Sequence, residues 1–152
     1  MDQIVKVELQ ELKDKYDFDI AALTEMNNSK GTFKWKYVLG SDSQRWKRME
    51  LRKGSGLTGI VLKTGKSLVV QDVLEIYNQE ELFRLPILYF EKIRGFIAMP
   101  IWNNDEMVAG LVVLGDKKPR AVSEEEYESV KSDVEARIRP EILKEMMFYE
   151  NT

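Results

Sequence analysis

The sequence contains no cysteine and no histidine. The first absence excludes a disulfide framework, thiolate zinc sites and a cysteine nucleophile. The second removes the commonest general acid–base at neutral pH and the commonest transition-metal ligand. Catalysis would fall to carboxylates, lysines and tyrosines, and none of these stands in a recognisable catalytic spacing. Glu124, Glu125 and Glu126 open a helix, where they serve as partners of its dipole. The expectation is a protein that is not an enzyme and holds no metal and no cofactor. Long apolar runs are missing as well. No stretch approaches the roughly 20 residues of a membrane span, and the start, MDQIVKVELQELKDKY, has no signal-peptide core. A cytoplasmic protein with no membrane contact is expected. Basic excess is also absent: the net charge is −3, which argues against a nucleic-acid partner, because such binding rests on phosphate neutralisation.

One stretch departs from that balance. QRWKRMELRK, residues 44–53, carries Arg45, Lys47, Arg48, Arg52 and Lys53 against a single Glu50. It reads either as a solvated basic face or as a field that draws a small anion toward a nearby pocket. With 152 residues, 43% apolar and 32% charged, the chain has the profile of one globular domain over residues 1–152.

Periodicity sketches the elements. Val5, Leu9, Leu12 and Tyr16 form one stripe of a helix of about four turns. Residues 18–23 read as a strand and residues 27–31 as a turn; Phe33, Trp35 and Tyr37 then alternate with lysines, predicting a strand with one aromatic face. Residues 41–48 read as a loop and short helix carrying Trp46. A helix of under two turns, ended by Gly65, follows the glycines at 54–59. Residues 67–73 predict a strand and residues 78–83 a helix. GFIAMPIW, with Pro100 at an edge or bulge, pairs with MVAGLVVLG as a hairpin. Ser123 caps a helix with stripe Tyr127, Val130, Val134 and Ile138, which Pro140 should interrupt. One twisted antiparallel sheet with helices on both sides, an α+β sandwich, accounts for this order.

GSGLTG, residues 54–59, matches the spacing of a dinucleotide-binding loop. Its context does not. RMELRK is too charged for a central parallel strand, the helix after it is too short, and Asp72 lies 18 residues beyond Gly54 where about 20 or more is usual. The glycines either let a helix start approach a small anion or merely pack that helix on the sheet.

LRKGSGLTGIVLKTGKSLVVQDV, followed by FIAMPIWNNDEMVAGLVVLGDKKPRAVSEEEYESVKSDVE, resembles a GAF domain over about residues 18–137, with amphipathic helices at both ends. Within that family several branches do not fit. Free-methionine-sulfoxide reductases need cysteines, bilin binders commonly use Cys or His, and the N-K-x-x-D-E pattern of cyclic-nucleotide binders is absent. SDSQRWKRMELRKG and LPILYFE are similar instead to the small stand-alone nitrate receptors of the NreA type. That resemblance implies a nitrate ion in a small closed pocket between the sheet and the glycine-bearing segment. Trp46 would supply a wall or an indole N–H; Leu57 and Leu68 would line the pocket; Phe96, Ile97 and Ala98 would contribute backbone amides and apolar walls. It also implies a partner, an oxygen-sensing histidine kinase of a two-component system, whose phosphorylation the protein modulates. By position alone Trp46 and Phe96 read as core aromatics rather than pocket walls, a weighting that the resemblance reverses. The alternative function is a ligand-free or other-small-ligand GAF interaction module that forms a homodimer through Val5, Leu9 and Leu12 with Val130, Val134 and Ile138, and through residues 146–148.

Overall fold

The steps of three and four in the first segment are realised as α1 (Asp2–Lys15), whose Val5, Leu9 and Leu12 are buried. The computed structural model describes residues 2–26, 32–52 and 54–150, apart from the side chains of Asp2 and residues 146–150. The turn read at residues 27–31 lies outside the described residues. After α1 the chain reverses at Asp17, which takes a positive φ of 55°, and enters β1 (Ile20–Glu25). β2 (Thr32–Phe33) and β3 (Trp35–Leu39) follow, then a 3-10 turn at Arg45–Arg48 and β4 (Leu51–Arg52). The next segment is mostly helical: α2 (Gly56–Thr64), β5 (Leu68–Val70), α3 (Val73–Ile76), α4 (Gln79–Phe83) and α5 (Pro86–Phe90). The long hairpin β6 (Gly95–Trp102) and β7 (Val108–Asp116) leads into α6 (Glu124–Asp133), a π turn at Val134–Ile138 and α7 (Arg139–Glu150).

Five strands form one antiparallel sheet in the order β3-β1-β7-β6-β5, and β2 pairs with β4 in a separate ribbon. Nearly every residue of β6 and β7 is buried, because helices cover both faces, as the apolar runs require. One face packs on α1, α6 and α7 through Val5, Leu9, Val130, Val134, Ile138 and Ile142. The other packs on α2 to α5 through Leu57, Val61, Val73, Leu82, Ile87 and Leu88. The side chains read as a dimer surface, Val5, Leu9, Leu12, Val130, Val134 and Ile138, are therefore covered by their own sheet, each at most 2% exposed. Residues 146–148 lie outside the described side chains.

Three sequence expectations need correction. The aromatic face of Phe33, Trp35 and Tyr37 does not form. Phe33 pairs with Leu51 in the small ribbon, while on β3 Tyr37 faces Leu23 and Trp35 faces Thr24, leaving Lys36 as an extra residue. That bulge turns Trp35 to the α2–α5 side and Tyr37 to the α1 side, since one inserted residue reverses the alternation. Pro140 does not interrupt the last helix. The π turn just before it loosens the backbone around the carbonyl that proline's ring would otherwise strike, so the chain runs on into α7. And α2, at nine residues, exceeds two turns. Pro100 sits as expected: β5 pairs only with Phe96, Ile97 and Ala98, so at Pro100 the strand β6 has a neighbour on one side only, a local edge.

Candidate anion site

The glycine segment is built for close approach. β4 is only two residues long and antiparallel to β2, so no parallel strand feeds α2 and a dinucleotide loop is not formed. Asp72 instead caps α3 through the Leu74 amide and holds Arg94 with two hydrogen bonds of 2.9 and 2.8 Å. That guanidinium is the main reason its carboxyl sits below the usual range. Ser55 is the extended N-cap of α2 and offers no side-chain cap, while Gly56 adopts φ 66°, a region closed to most side chains. Thr58 ties the turn down through its hydroxyl, which donates to the Arg52 and Ser55 carbonyls at 2.8 and 2.9 Å. A Cβ on Gly59 would lie 2.8 Å from the Gly54 carbonyl carbon. Gly59→Ala should therefore push the first turn of α2 away from the loop, costing about 1–3 kcal/mol, measurable as an earlier urea midpoint at unchanged slope.

Without a cap, the first amides of α2 have no intrahelical acceptor. α5 repeats the pattern. Leu85 is its N-cap without a side-chain bond, Pro86 at the first position has no N–H, and Leu88 and Tyr89 already donate to the Leu85 carbonyl. The Ile87 amide is left at the helix start. Leu57, Leu85 and Ile87 share one buried cluster with Trp35, Val38, Phe96 and Ala98, with Leu68 and Trp46 partly buried against it.

Inside it lies an unusual donor. Trp35 is 4% exposed and its Nε1–H has no acceptor. Among the described residues, three buried side-chain atoms are unpaired, and the other two, Glu8 Oε2 and Glu145 Oε1, are carboxylate oxygens. An orphaned N–H in an apolar interior costs about 1–3 kcal/mol, so an acceptor placed beside it would be stabilising.

The residues expected from the resemblance divide. Leu57, Leu68, Phe96, Ala98 and Trp46 all lie on the α2–α5 side of the sheet. Ile97 does not: strand alternation turns it to the α1 side, among Leu9, Met99 and Val134. β6 is also flanked by β5 and β7 along residues 96–98, so the amides there point along the sheet at neighbouring strands. The free donors are at the helix starts instead. Trp46 rides in the 3-10 turn, half-buried, with the Lys47 ammonium 5.5 Å from its ring centre. Trp35 and Ile87 were not singled out in the sequence; a bulge and a proline-led helix put them here.

A cleft of about 330 Å³ opens outside the α2 start, between Gly54, Gly59, Lys63, Tyr77, Glu81 and Arg84. Burial, aided by Glu81, raises the Tyr77 hydroxyl above its ordinary range, so it stays a neutral donor at the rim. Among the described residues no carboxylate cluster could hold a metal ion, and no helix is long and apolar enough to cross a membrane.

A family model described as the GAF domain matches residues 1–132. The chain belongs to the GAF family. Among solved structures this GAF chain is similar to an NreA protein from Staphylococcus aureus mutated in its nitrate binding site, with 32% identity, 81% of this chain and 90% of that one covered, and a TM-score of 0.73. A hypothetical protein from the same organism, SA1058, shares 34% identity over 73% of this chain and 92% of that one, with a TM-score of 0.67. A type II free methionine-R-sulfoxide reductase from Thermoplasma acidophilum is 19% identical, covering 92% of this chain and 89% of that one at a TM-score of 0.68. That last likeness concerns the fold alone. A search of the curated proteins finds no match.

Proposed function

We propose that this GAF domain is a nitrate sensor, and that its nitrate-bound and empty states modulate the phosphorylation of an oxygen-sensing histidine kinase. The observation that carries the reading is the buried, unpaired Trp35 N–H in the cluster that also holds two uncapped helix starts. Nitrate is flat, singly charged and weakly hydrated. Amide donors and the positive ends of helix dipoles stabilise such an ion without the desolvation cost of burying an arginine. Leu57, Leu68, Phe96 and Ala98 serve as apolar walls and Trp46 closes the outer side. The likeness to a protein with a nitrate binding site supports the choice of ion. Regulation follows if nitrate binds the two states with different affinity.

Calorimetric titration with nitrate, with chloride and sulfate as controls, is the test. Saturable heat is expected for nitrate alone. Trp35→Phe keeps an aromatic side chain, though a smaller one, and deletes the N–H, and should weaken binding about 10- to 100-fold, the worth of a hydrogen bond to a charge. Trp46→Ala, which removes a wall, should cost less than Trp35→Phe. No heat at millimolar nitrate would end the proposal.

A further inference from the structure

The outward side of α5 carries what its inward side lacks. Ile87 and Leu88 are buried, whereas Tyr89 and Phe90 are 40% and 41% exposed and Phe83 at the end of α4 is 59% exposed. The three rings form one group: Phe83 and Tyr89 lie 4.7 Å apart, and Phe90 stands edge-on to Tyr89 at 5.1 Å. The Arg45 guanidinium lies 5.1 Å from the Phe90 ring centre, and Arg45, Arg48, Met49 and Phe90 line a groove of about 360 Å³ beside it.

The charges around the group are as uneven as its exposure. Arg94, Arg120, Arg137 and Arg139 each have a carboxylate partner, Asp72, Asp116, Glu11 and Glu135 respectively. Among the described residues no carboxylate pairs with Arg45, Arg48 or Arg84. In a chain of net charge −3, unpaired arginines thus gather around the exposed aromatic group. Tyrosine and arginine around a central apolar anchor are the chemistry of interface hot spots.

We propose that this aromatic and basic patch is the docking surface for an acidic amphipathic segment of a partner protein. An apolar side chain of the partner would enter the groove between Met49 and Phe90, and its carboxylates would meet Arg45, Arg48 and Arg84. A nucleic acid fits less well, because stacking needs open ring faces, and here Arg45 and the neighbouring rings occupy them. The surface stands apart from the anion reading, yet α5 joins them: a ligand that shifts Ile87 on the inner side moves Tyr89 and Phe90 on the outer one.

The test uses a labelled helical peptide of about 16 residues with leucines at every third and fourth position and glutamates between. Saturable anisotropy changes are expected, with amide NMR shifts confined to α4, α5 and the 3-10 turn. Binding should weaken at least about tenfold for the glutamine version of the peptide and for the Arg45→Glu/Arg48→Glu protein, and for Phe83→Ser/Tyr89→Ser. No peptide binding, equal binding by these variants, or a preference for oligothymidylate or phosphatidylglycerol vesicles would overturn the proposal. So would self-association abolished by the same substitutions, which would make the patch a contact between copies. Nitrate calorimetry on Phe83→Ser/Tyr89→Ser separates the two readings. Peptide binding without nitrate heat in the native protein would sustain the patch and end the sensor proposal.

Discussion

Replacing Arg120 by methionine is expected to destabilise the fold by about 3–5 kcal/mol, the cost of removing one partner from a largely buried ion cluster. Arg120 lies in the connection between β7 and α6 with its side chain 18% exposed. Its Nη1 donates to the Asp17 carbonyl and to Asp116 Oδ2, both at 2.9 Å. Its Nη2 donates to the Tyr16 carbonyl at 2.6 Å and to both oxygens of Glu126. The guanidinium also lies over the Phe18 ring, 4.0 Å from its centre. Burial works against the charge, but the hydrogen bond to Asp116 and the nearby Glu126 outweigh it. One side chain therefore joins the end of α1, the end of β7 and the first turn of α6. Methionine would leave Asp116 in a site 9% exposed without its cation. Arg120→Lys keeps the charge but not the planar fork, and should recover less than half of the loss. Urea unfolding of both variants checks this; a change under about 1 kcal/mol for methionine would show that the cluster is dispensable.

The second large effect is a dependence on pH. Lys36, the extra residue of the β3 bulge, places its ammonium 3.0 Å from Glu25 and 2.7 Å from Glu145. Glu145 projects from α7, is 4% exposed, and has one oxygen without a partner. Burial above all, and then the neighbouring Glu25 carboxyl, pushes the Glu145 carboxyl from 4.5 up to about 7. Because the folded value exceeds the unfolded one, the protonated form is the one that folding favours. The contribution is complete below about pH 4.5, fades as pH rises, and is gone above about pH 7. Stability should thus fall between pH 5 and 8 by on the order of 2–3 kcal/mol. Glu145→Gln should flatten that slope, matching the native protein near pH 5 and exceeding it at pH 8. Midpoints in urea across this range decide it. An unchanged slope in the glutamine variant would remove Glu145 as its source.

Much of the fold is visible in local pattern. Val5, Leu9 and Leu12 announce their helix because steps of three and four can bury one stripe only if the backbone is helical. GFIAMPIW and MVAGLVVLG announce a two-sided strand pair because both alternate faces are apolar. Ser123 caps α6 through the Glu126 amide at 3.1 Å, an arrangement set by spacing alone. Asn78 and Glu81 form a full capping box ahead of α4. For the helix stripe and the two caps the deciding steps span four residues or fewer, so sequence order carries them.

The candidate site was legible only in part, and the reason is the same one in reverse. The glycine turn is visible in sequence because a helix start is a local event. Leu57, Phe96 and Ala98 came from the family resemblance, and the fold puts them on one side of the sheet with Ile97 on the other. Trp35, the buried indole with an unpaired N–H, reads in the sequence as one member of an aromatic strand face. A single extra residue, Lys36, reverses the direction of Trp35, and nothing in TFKWKY marks where a bulge will fall, since it depends on how β1 pairs across the sheet. Likewise Ile87 gains its role from a five-residue helix held by packing rather than by its own propensity.

By itself, then, the amino-acid order determined the elements, the two-faced sheet, the GAF pattern, and the exclusion of cysteine and histidine chemistry. Tertiary structure alone decided which tryptophan is buried without an acceptor, which helix starts share its core cluster, and which described arginines lack a carboxylate beside exposed rings. Propensity and capping act over a few residues along the chain, whereas an unsatisfied donor or an unmatched charge is defined by everything that surrounds it in space.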